Sequence, residues 1–181
     1  MVRETAESTT DLVLRKPDVP DAASMYELAY RSEWTEAEPL GTYVNFCRDF
    51  AATSLVAVEM TGLTGFLLGY VKPRDPSSYF VWQAAVRRGA APGNVAYAML
   101  ADMVLRVRSD AVRYFEVAVG ADDHVLAEIV HRLALDQAVE LGVTELFSDG
   151  ETGSGHGAKM LYRFAMREAA QARQGGRADR G

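Results

Sequence analysis

Hydrophobic and polar positions along this chain follow two spacings, one typical of β-strands and one typical of α-helices. Short runs rich in aromatic and β-branched residues predict strands, and stretches with apolar residues every three or four positions predict helices. The predicted strands cover residues 12–17, 54–60, 63–72, 79–86, 112–119, 145–147 and 159–166. The predicted helices cover residues 18–30, 43–51, 94–107 and 121–141.

The order of these elements indicates the fold class. One strand is followed by two helices, three strands, a helix, a strand, a helix and the last strands, which is typical of an α+β domain. The predicted strands at 54–60 and 63–72 are separated only by a polar turn at Thr61 and Gly62, which predicts an antiparallel hairpin. We expect one domain over residues 11–172, with disordered polar tails at 1–10 and 173–181.

The segment from Phe80 to Leu100 joins a buried strand to a long helix through a loop that contains glycine. Such a connection is suited to binding an anion, because free backbone N–H groups and the positive end of the helix dipole point at one place. Asn94 is the expected N-cap residue, since its side-chain oxygen accepts hydrogen bonds from first-turn amides. An ordinary strand-to-helix connection fits the same spacing, so the pattern alone leaves both interpretations open.

Composition and charge exclude several classes of function. Hydrophobic residues make up 49% of the chain and charged residues 24%, as in ordinary globular proteins, and no run is long enough to span a membrane. The net charge of −6 argues against a general nucleic-acid binder. Cys47 is the only cysteine, so an internal disulfide is not possible, and we expect its side chain in the core. A chain without disulfides fits a reducing compartment, so we expect a cytoplasmic protein. Three histidines show no metal-ligand spacing, so no metal is expected.

Several sequence segments together resemble a known family. They are LRKPDVPDA, CRDFAATSLVA, TGFLLGYVKPRDP, FVWQAAV, VRYFEVAV and the closing His156-x-x-x-x-Leu161-Tyr162-Arg163. In this order they resemble the GCN5-related N-acetyltransferases, and most of all the diaminobutyrate acetyltransferases of ectoine biosynthesis. The resemblance implies an α+β fold with a mixed, mostly antiparallel central sheet flanked by helices on both faces. It also implies acetyl transfer from acetyl-CoA to a small diamino acid resembling 2,4-diaminobutyrate, and a homodimer.

The resemblance places acetyl-CoA where the strand at 79–86 parts from the strand at 112–119. The family's pyrophosphate loop, Arg/Gln-x-x-Gly-x-Gly/Ala, falls on residues 91–96, where Ala91 and Asn94 depart from the pattern and Pro92 lacks a backbone N–H. The cofactor-binding residues implied are Ala84, Ala85, Val86, Arg87, Gly93, Asn94, Val95, Ala96 and Asp123. A solvated strand end for Arg87 and a helix cap for Asp123 remain open alternatives.

Acetyl transfer to an amine requires a base for the amine proton, a hydrogen-bond donor where negative charge develops and an acid for the departing thiolate. The resemblance implies Glu36 as the base and Tyr43 or Tyr162 as the acid, with the backbone at 84–86 as the donor. The catalytic candidates are therefore Glu36, Tyr43, Trp82 and Tyr162, and the substrate-binding candidates are Glu36, Trp82 and His156. Trp82 also fits a core aromatic, and His156 an ordinary loop residue.

Two functions agree with these observations. The first is a cytoplasmic acetyl-CoA-dependent N-acetyltransferase that acts on a small diamino acid. The second is a descendant of that family that has lost acetyl transfer and binds or transforms an amino-acid-like ligand by another reaction. The coverage of the matching segments favours the first, and the departures in the pyrophosphate loop favour the second.

Overall fold

The computed structural model describes residues 11–32, 35–89, 91–108, 111–137, 140–147 and 159–166. The strands are β1 (Val13–Arg15), β2 (Leu55–Glu59), β3 (Gly62–Lys72), β4 (Asp75–Val86), β5 (Tyr114–Gly120), β6 (Glu140–Phe147) and β7 (Lys159–Ala165). The helices are α1 (Asp21–Tyr30), α2 (Leu40–Asp49), α3 (Pro92–Val107) and α4 (His124–Asp136), with a 3-10 turn at Ala51–Thr53. The two predicted tails and the predicted glycine-rich loop at 149–157 lie outside the described residues.

The strands form one mixed sheet. Its order is β1-β2-β3-β4-β5-β7-β6, in which β4 and β5 run parallel and every other neighbouring pair of described strands is antiparallel. The predicted hairpin is present as β2 and β3. The expected mixed, mostly antiparallel sheet is therefore confirmed.

Helices cover both faces of the sheet, as expected. On one face α1 and α2 pack Met25, Tyr43 and Phe46 against Phe66 and Leu68 of β3. On the other face, α3 and α4 pack against residues of the central strands, and the largest fully buried members of this layer are Leu55, Leu67, Tyr79, Met99, Met103, Phe115, Leu133 and Phe164. The residues of β3 alternate between the two layers because successive side chains of a strand point to opposite faces.

Several predicted boundaries were wrong. The predicted helix over 121–141 ends at Asp136, and β6 already begins at Glu140. β4 begins at Asp75 rather than at residue 79, because the Asp75 carboxylate accepts hydrogen bonds of 2.6 Å from the hydroxyls of both Ser77 and Ser78. These bonds allow a polar stretch to enter the sheet.

A β-bulge interrupts the pairing of β3 with β4. Leu68 pairs with Gln83 and Gly69 pairs with Val81, so Trp82 is the extra residue. Because a bulge shifts the alternation of side chains by one, Trp82 and Gln83 both face the side covered by α1 and α2.

Gly69 permits the close approach that accompanies this bulge. A Cβ atom at Gly69 would lie 2.0 Å from the Tyr79 hydroxyl oxygen and 2.8 Å from the Phe80 carbonyl oxygen. The Tyr79 ring is fully buried, and its hydroxyl donates to the Thr53 carbonyl oxygen at 2.8 Å. Only glycine leaves room for this ring across the strand.

Candidate functional site

The two parallel strands at the centre of the sheet separate part of the way along their length. Their pairing runs from Ser78 opposite Tyr114 to Val81 opposite Val117. Beyond this point β4 remains paired with β3 as far as Val86, while β5 remains paired with β7 as far as Gly120. A gap therefore opens between residues 82–86 and 118–120.

At the closed end of the gap, ion pairs join side chains of β3, β5 and β7. The Lys72 ammonium of β3 lies 2.7 Å from the carboxylate of Glu116 on β5, and the Arg163 guanidinium of β7 lies 3.3 Å from the same carboxylate. Glu116 is only 2% exposed, whereas the side chains of Lys72 and Arg163 are 38% and 42% exposed, so a buried carboxylate is held by two partly solvated cations. Glu116 lies within the stretch where β4 and β5 are paired, opposite Phe80.

The open edge of β4 presents backbone groups to the gap. The Arg87 N–H donates to the Thr64 carbonyl oxygen of β3 at 2.7 Å, which makes this a hydrogen-bonded pair. Successive residues of an antiparallel strand direct their N–H and C=O groups to alternate edges, so Ala84 and Val86 direct theirs towards β5. No strand pairs with this part of β4 from that side among the described residues. The edge is suited to an extended ligand that hydrogen-bonds like a strand.

A cavity of about 80 Å³ lies at the gap. Thr35, Trp82 and Gln83 line it on the α1–α2 side. From the α3–α4 side and from the neighbouring strands it is lined by Ala84, Ala96, Met99, Leu100, Val117, Ala118, Leu126 and Lys159, among others. Because the lining comes from both faces, the cavity extends into the sheet at the gap between β4 and β5.

Trp82 contributes both to this cavity and to the core. Its ring stacks on Phe46 of α2, with 5.0 Å between the ring centroids and 14° between the planes. The same side chain lines the cavity, so the two interpretations given by the sequence are compatible.

Gln83 is a functional candidate that the sequence interpretation missed. Its Nε2 donates to the Glu36 carbonyl oxygen at 2.7 Å and to the Thr35 hydroxyl at 3.1 Å, which ties the loop between α1 and α2 to β4. Its Oε1 is buried and has no hydrogen-bond partner in the described part of the protein. A buried polar atom without a partner costs about 1–3 kcal/mol, so such an atom beside a cavity is a sign of a binding site. The signal available in the sequence was one amide in the otherwise apolar run FVWQAAV.

Tyr43 and Glu36 lie on the same side of the sheet as Gln83. The Tyr43 ring is fully buried, and its hydroxyl oxygen accepts a hydrogen bond from the Glu38 N–H at 3.1 Å. Burial raises the pKa of Tyr43, and the hydrogen bond from the Glu38 N–H opposes this rise. Tyr43 therefore keeps its proton at neutral pH. Glu36 is exposed and reaches the site through its carbonyl oxygen, which Gln83 binds.

The remaining predicted acceptor-side residues lie elsewhere. Tyr162 is 8% exposed in the layer covered by α3 and α4, where its ring meets His131 edge-on at 5.5 Å, and it is not among the residues that line the cavity. His156 lies outside the described residues. The structure thus gathers Trp82 and the loop of Glu36 around the cavity and leaves Tyr162 in the core.

The first turn of α3 differs from the prediction. Ala91, not Asn94, is the N-cap residue, and no side chain caps this helix. The amides of Asn94 and Val95 both donate to the Ala91 carbonyl oxygen, and Pro92 has no N–H. Fewer first-turn donors therefore point out of the helix than at an ordinary anion-binding helix N-terminus. Gly93 is not required by packing, since a Cβ atom there would meet only Ile129, at 3.7 Å.

Arg87 and Asp123 make structural contacts. The Arg87 guanidinium donates to the Leu63 carbonyl oxygen and to the Thr61 hydroxyl, so it contacts the turn between β2 and β3. The Asp123 carboxylate accepts a hydrogen bond from the Leu126 N–H at 2.9 Å and caps α4, as its alternative interpretation predicted. Both side chains are engaged by their own surroundings.

The other predicted cofactor-side residues fit a long, thin ligand in the gap. Ala84 and Ala96 offer small side chains at the cavity, whereas Ala85 is fully buried on the opposite face and Val86 is 6% exposed at the end of β4. The open strand edge and these small residues fit the pantetheine arm of acetyl-CoA. The first turn of α3 fits its pyrophosphate less well, because it has fewer free donors.

Two further observations bear on the class of protein. None of the helices in the described ranges is long and apolar enough to cross a membrane. The described residues also contain no cluster of three or more histidine, cysteine, aspartate or glutamate side chains suited to a metal ion.

Comparison with known proteins agrees with this geometry. No protein-family model matches the chain. It is 31% identical over 156 residues to the L-2,4-diaminobutyric acid acetyltransferase of Nocardia farcinica, covering 84% of this chain and 79% of that protein. It is 32% identical over 159 residues to the enzyme of the same name from Streptomyces coelicolor, covering 85% and 92%.

Solved structures show the same fold. The diaminobutyrate acetyltransferase EctA of Paenibacillus lautus, in complex with L-2,4-diaminobutyric acid and coenzyme A, superposes with a TM-score of 0.80 at 23% identity, covering 87% of this chain and 96% of that one. The ribosomal-protein-S18-alanine N-acetyltransferase of Escherichia coli gives a TM-score of 0.65 at 12% identity, covering 89% and 97%. The sheet with its central gap is therefore that of the GCN5-related N-acetyltransferases, and the chain belongs to the L-2,4-diaminobutyric acid acetyltransferase family.

Proposed function

We propose that this protein transfers an acetyl group from acetyl-CoA to one amine of a small diamino acid, and that L-2,4-diaminobutyrate is its acceptor. The observation that carries the proposal is the gap between β4 and β5, with a cavity lined from both faces of the sheet. Relatives that are 31% and 32% identical over most of the chain bear the name of this activity.

Acetyl-CoA supplies the activated acetyl group as a thioester, whose carbon–sulfur bond breaks as the amine nitrogen bonds to the acetyl carbon. The backbone edge at Ala84 and Val86 binds the pantetheine arm. Ala85 contributes only backbone, and Gly93, Asn94, Val95 and Ala96 lie along the first turns of α3, towards the pyrophosphate. Arg87 and Asp123 contribute to binding only indirectly, by holding the turn between β2 and β3 and the start of α4.

The acceptor side supplies the proton transfers. Glu36 takes the proton of the amine through water, because its side chain is exposed and does not line the cavity, and this position gives the proton a path to solvent. Tyr43 remains protonated at neutral pH and is the acid for the thiolate. Tyr162 is the second candidate for that role, and neither tyrosine is among the residues that line the cavity. Trp82 forms a wall for the diamino acid, and His156 is proposed to contact it from outside the described residues.

One observation favours the alternative of a protein that has lost acetyl transfer. The first turn of α3 offers fewer free amide donors than an ordinary helix N-terminus, because of Pro92 and the bond from the Asn94 N–H to the Ala91 carbonyl oxygen. The alternative therefore predicts that a diamino acid binds while acetyl-CoA does not.

A calorimetric titration with acetyl-CoA, followed by turnover with L-2,4-diaminobutyrate, tests the proposal. Thiol release is measured with a disulfide reagent and the acetylated product by mass spectrometry. Cys47 adds little background, because burial raises its pKa to about 11 and keeps it a thiol. Saturable cofactor binding with product formation is expected. Absence of binding at millimolar acetyl-CoA would refute the proposed function.

Two properties of the whole protein belong to the same proposal. A homodimer is proposed from the family resemblance, and light scattering after size-exclusion chromatography tests it by the mass in solution.

A cytoplasmic location is proposed from the single cysteine, which is buried and free. Fractionation of the source cells tests the second.

A further inference from the structure

In the side-chain amide of Gln83, the nitrogen Nε2 is hydrogen-bonded and the oxygen Oε1 is not. Its Nε2 has two acceptors, and the Glu36 carbonyl oxygen can only accept, which fixes the orientation of the amide. Oε1 is thereby directed away from the loop. Gln83 is 7% exposed, and this oxygen has no partner among the described residues.

None of the described side chains around Gln83 Oε1 donates a hydrogen bond to it. The neighbouring titratable side chains are Glu36 from the loop between α1 and α2, Tyr43 from α2 and Lys159 from β7. Lys159 lines the same cavity, but its ammonium does not reach Oε1. The oxygen therefore sits ready for a donor that a ligand brings.

We propose that Gln83 Oε1 accepts a hydrogen bond from the substrate amine that is acetylated, while its Nε2 holds the loop that carries Glu36. This inference rests on the proposed function and assigns a specificity-determining residue within it. Gln83 precedes Ala84, whose backbone faces the gap, so an amine held by Gln83 lies next to the acetyl donor's path.

An uncharged acceptor suits this task. The amine must lose its proton before it attacks, and a carboxylate in contact would stabilise the ammonium and raise its pKa. An amide oxygen orients the amine by a hydrogen bond and lacks that charge. A glutamine at this position therefore helps to keep the bound amine neutral.

Four variants separate the two functions of Gln83, which are the acceptor role of Oε1 towards the amine and the hold of Nε2 on the loop that carries Glu36. Gln83→Met keeps the approximate volume and removes both functions of the amide. Gln83→Glu keeps an acceptor and adds a negative charge, and Thr35→Val removes one partner of Nε2 only. Gln137→Glu makes the same chemical change at the end of α4, away from the cavity, and is the matched charge control.

The readouts are kcat and KM for L-2,4-diaminobutyrate over a range of pH, calorimetric binding of the diamino acid, and the melting temperature. We expect Gln83→Met to remain folded and to lose about tenfold to a hundredfold in kcat/KM and in affinity for the diamino acid. In Gln83→Glu the limb of the kcat profile that reports amine deprotonation moves to higher pH by about one unit. Thr35→Val and Gln137→Glu leave that limb where it is.

The results that overturn the proposal are specific. Wild-type kcat/KM and affinity in folded Gln83→Met would refute it, as would an unshifted kcat profile in Gln83→Glu, which would reduce Gln83 to a clamp for the loop. If the wild type binds the diamino acid without acetylating it, the proposed function fails alone, and the contact of Gln83 with the amine is then judged by affinity for the diamino acid, which Gln83→Met lowers more than Thr35→Val does. If the wild type binds no diamino acid, both fail.

Discussion

Replacement of Gly69 by alanine tests the link between the bulge of β4 and the stability of the protein. The new methyl carbon would lie 2.0 Å from the Tyr79 hydroxyl oxygen, 2.4 Å from its Cζ and 2.8 Å from the Phe80 carbonyl oxygen. The ring cannot move aside without breaking its 2.8 Å hydrogen bond to the Thr53 carbonyl oxygen and its buried contacts. Overpacking costs about 1–3 kcal/mol, and the lost hydrogen bond adds about 1–2 kcal/mol.

We therefore expect Gly69→Ala to lower the free energy of unfolding by about 2–5 kcal/mol, a large share of the 5–15 kcal/mol typical of a domain. Urea denaturation measures the loss as a lower midpoint at an unchanged slope. Gly41→Ala is the matched control, because a Cβ atom there meets nothing within 4 Å and α2 favours alanine. It should gain about 0.4–1 kcal/mol.

A second substitution identifies the atoms responsible. Tyr79→Phe in the Gly69→Ala background removes the closest oxygen, so part of the lost stability should return, with a coupling energy of about 0.5–3 kcal/mol in a double-mutant cycle. A midpoint for Gly69→Ala equal to that of the wild type would refute the close approach of Tyr79, and with it the packing reason given for the bulge.

Four further predictions follow from the site and its surroundings. Trp82→Phe should lose only about 1–2 kcal/mol of unfolding free energy but about tenfold in kcat/KM for the diamino acid; proportionate losses would make Trp82 a packing residue. Glu36→Gln should keep the melting temperature and lose about a hundredfold or more in kcat, and an unchanged kcat would remove Glu36 from the mechanism. The hydrogen-bonded ion pair with Arg15 lowers the pKa of Asp21 below the ordinary value of an aspartate, so its stabilisation is present above that ordinary value and is lost as pH falls through the lower folded-state pKa. Asp21→Asn should therefore cost about 1 kcal/mol near neutral pH, and this difference should vanish in acid; a difference independent of pH in urea denaturation would contradict it. Pro92→Ala restores an N–H in the first turn of α3 and should lower KM for acetyl-CoA about two- to tenfold at unchanged kcat, whereas an unchanged KM would show that no anion lies there.

The order of the elements could be predicted because each is marked by its own local pattern. The exceptions are boundaries that depend on distant partners. Residues 73–78 have the polar composition of a loop, and their entry into β4 depends on the Asp75 carboxylate and on the neighbouring strands. The apolar spacing of 121–141 continues beyond α4 because Leu141 packs against the same layer from β6. The spacing of apolar residues alone does not show whether Leu141 reaches the core from an extended α4 or from a separate strand.

The site could be predicted in part for a similar reason. Trp82 and the strand edge follow from the family resemblance and the run FVWQAAV, and the structure places both at the gap. Gln83 was missed because its direction depends on the bulge, which is a property of how β3 and β4 pair. Asn94 was expected to cap α3, but the helix begins two residues earlier, since proline is well suited to the first helical position.

In the proposed reaction, the short segment 82–86 of β4 contacts both reactants. Its backbone faces the gap at Ala84 and Val86, while Trp82 and Gln83 face the loop between α1 and α2. The bulge creates this division, since without the extra residue Gln83 would turn to the opposite face. We therefore expect the strand to set the geometry of the proposed transfer and the first turn of α3 to contribute binding that is equal in the ground state and the transition state. Loss of such uniform binding raises KM and spares kcat, so sequence drift at residues 91–96 is compatible with a working acetyltransferase.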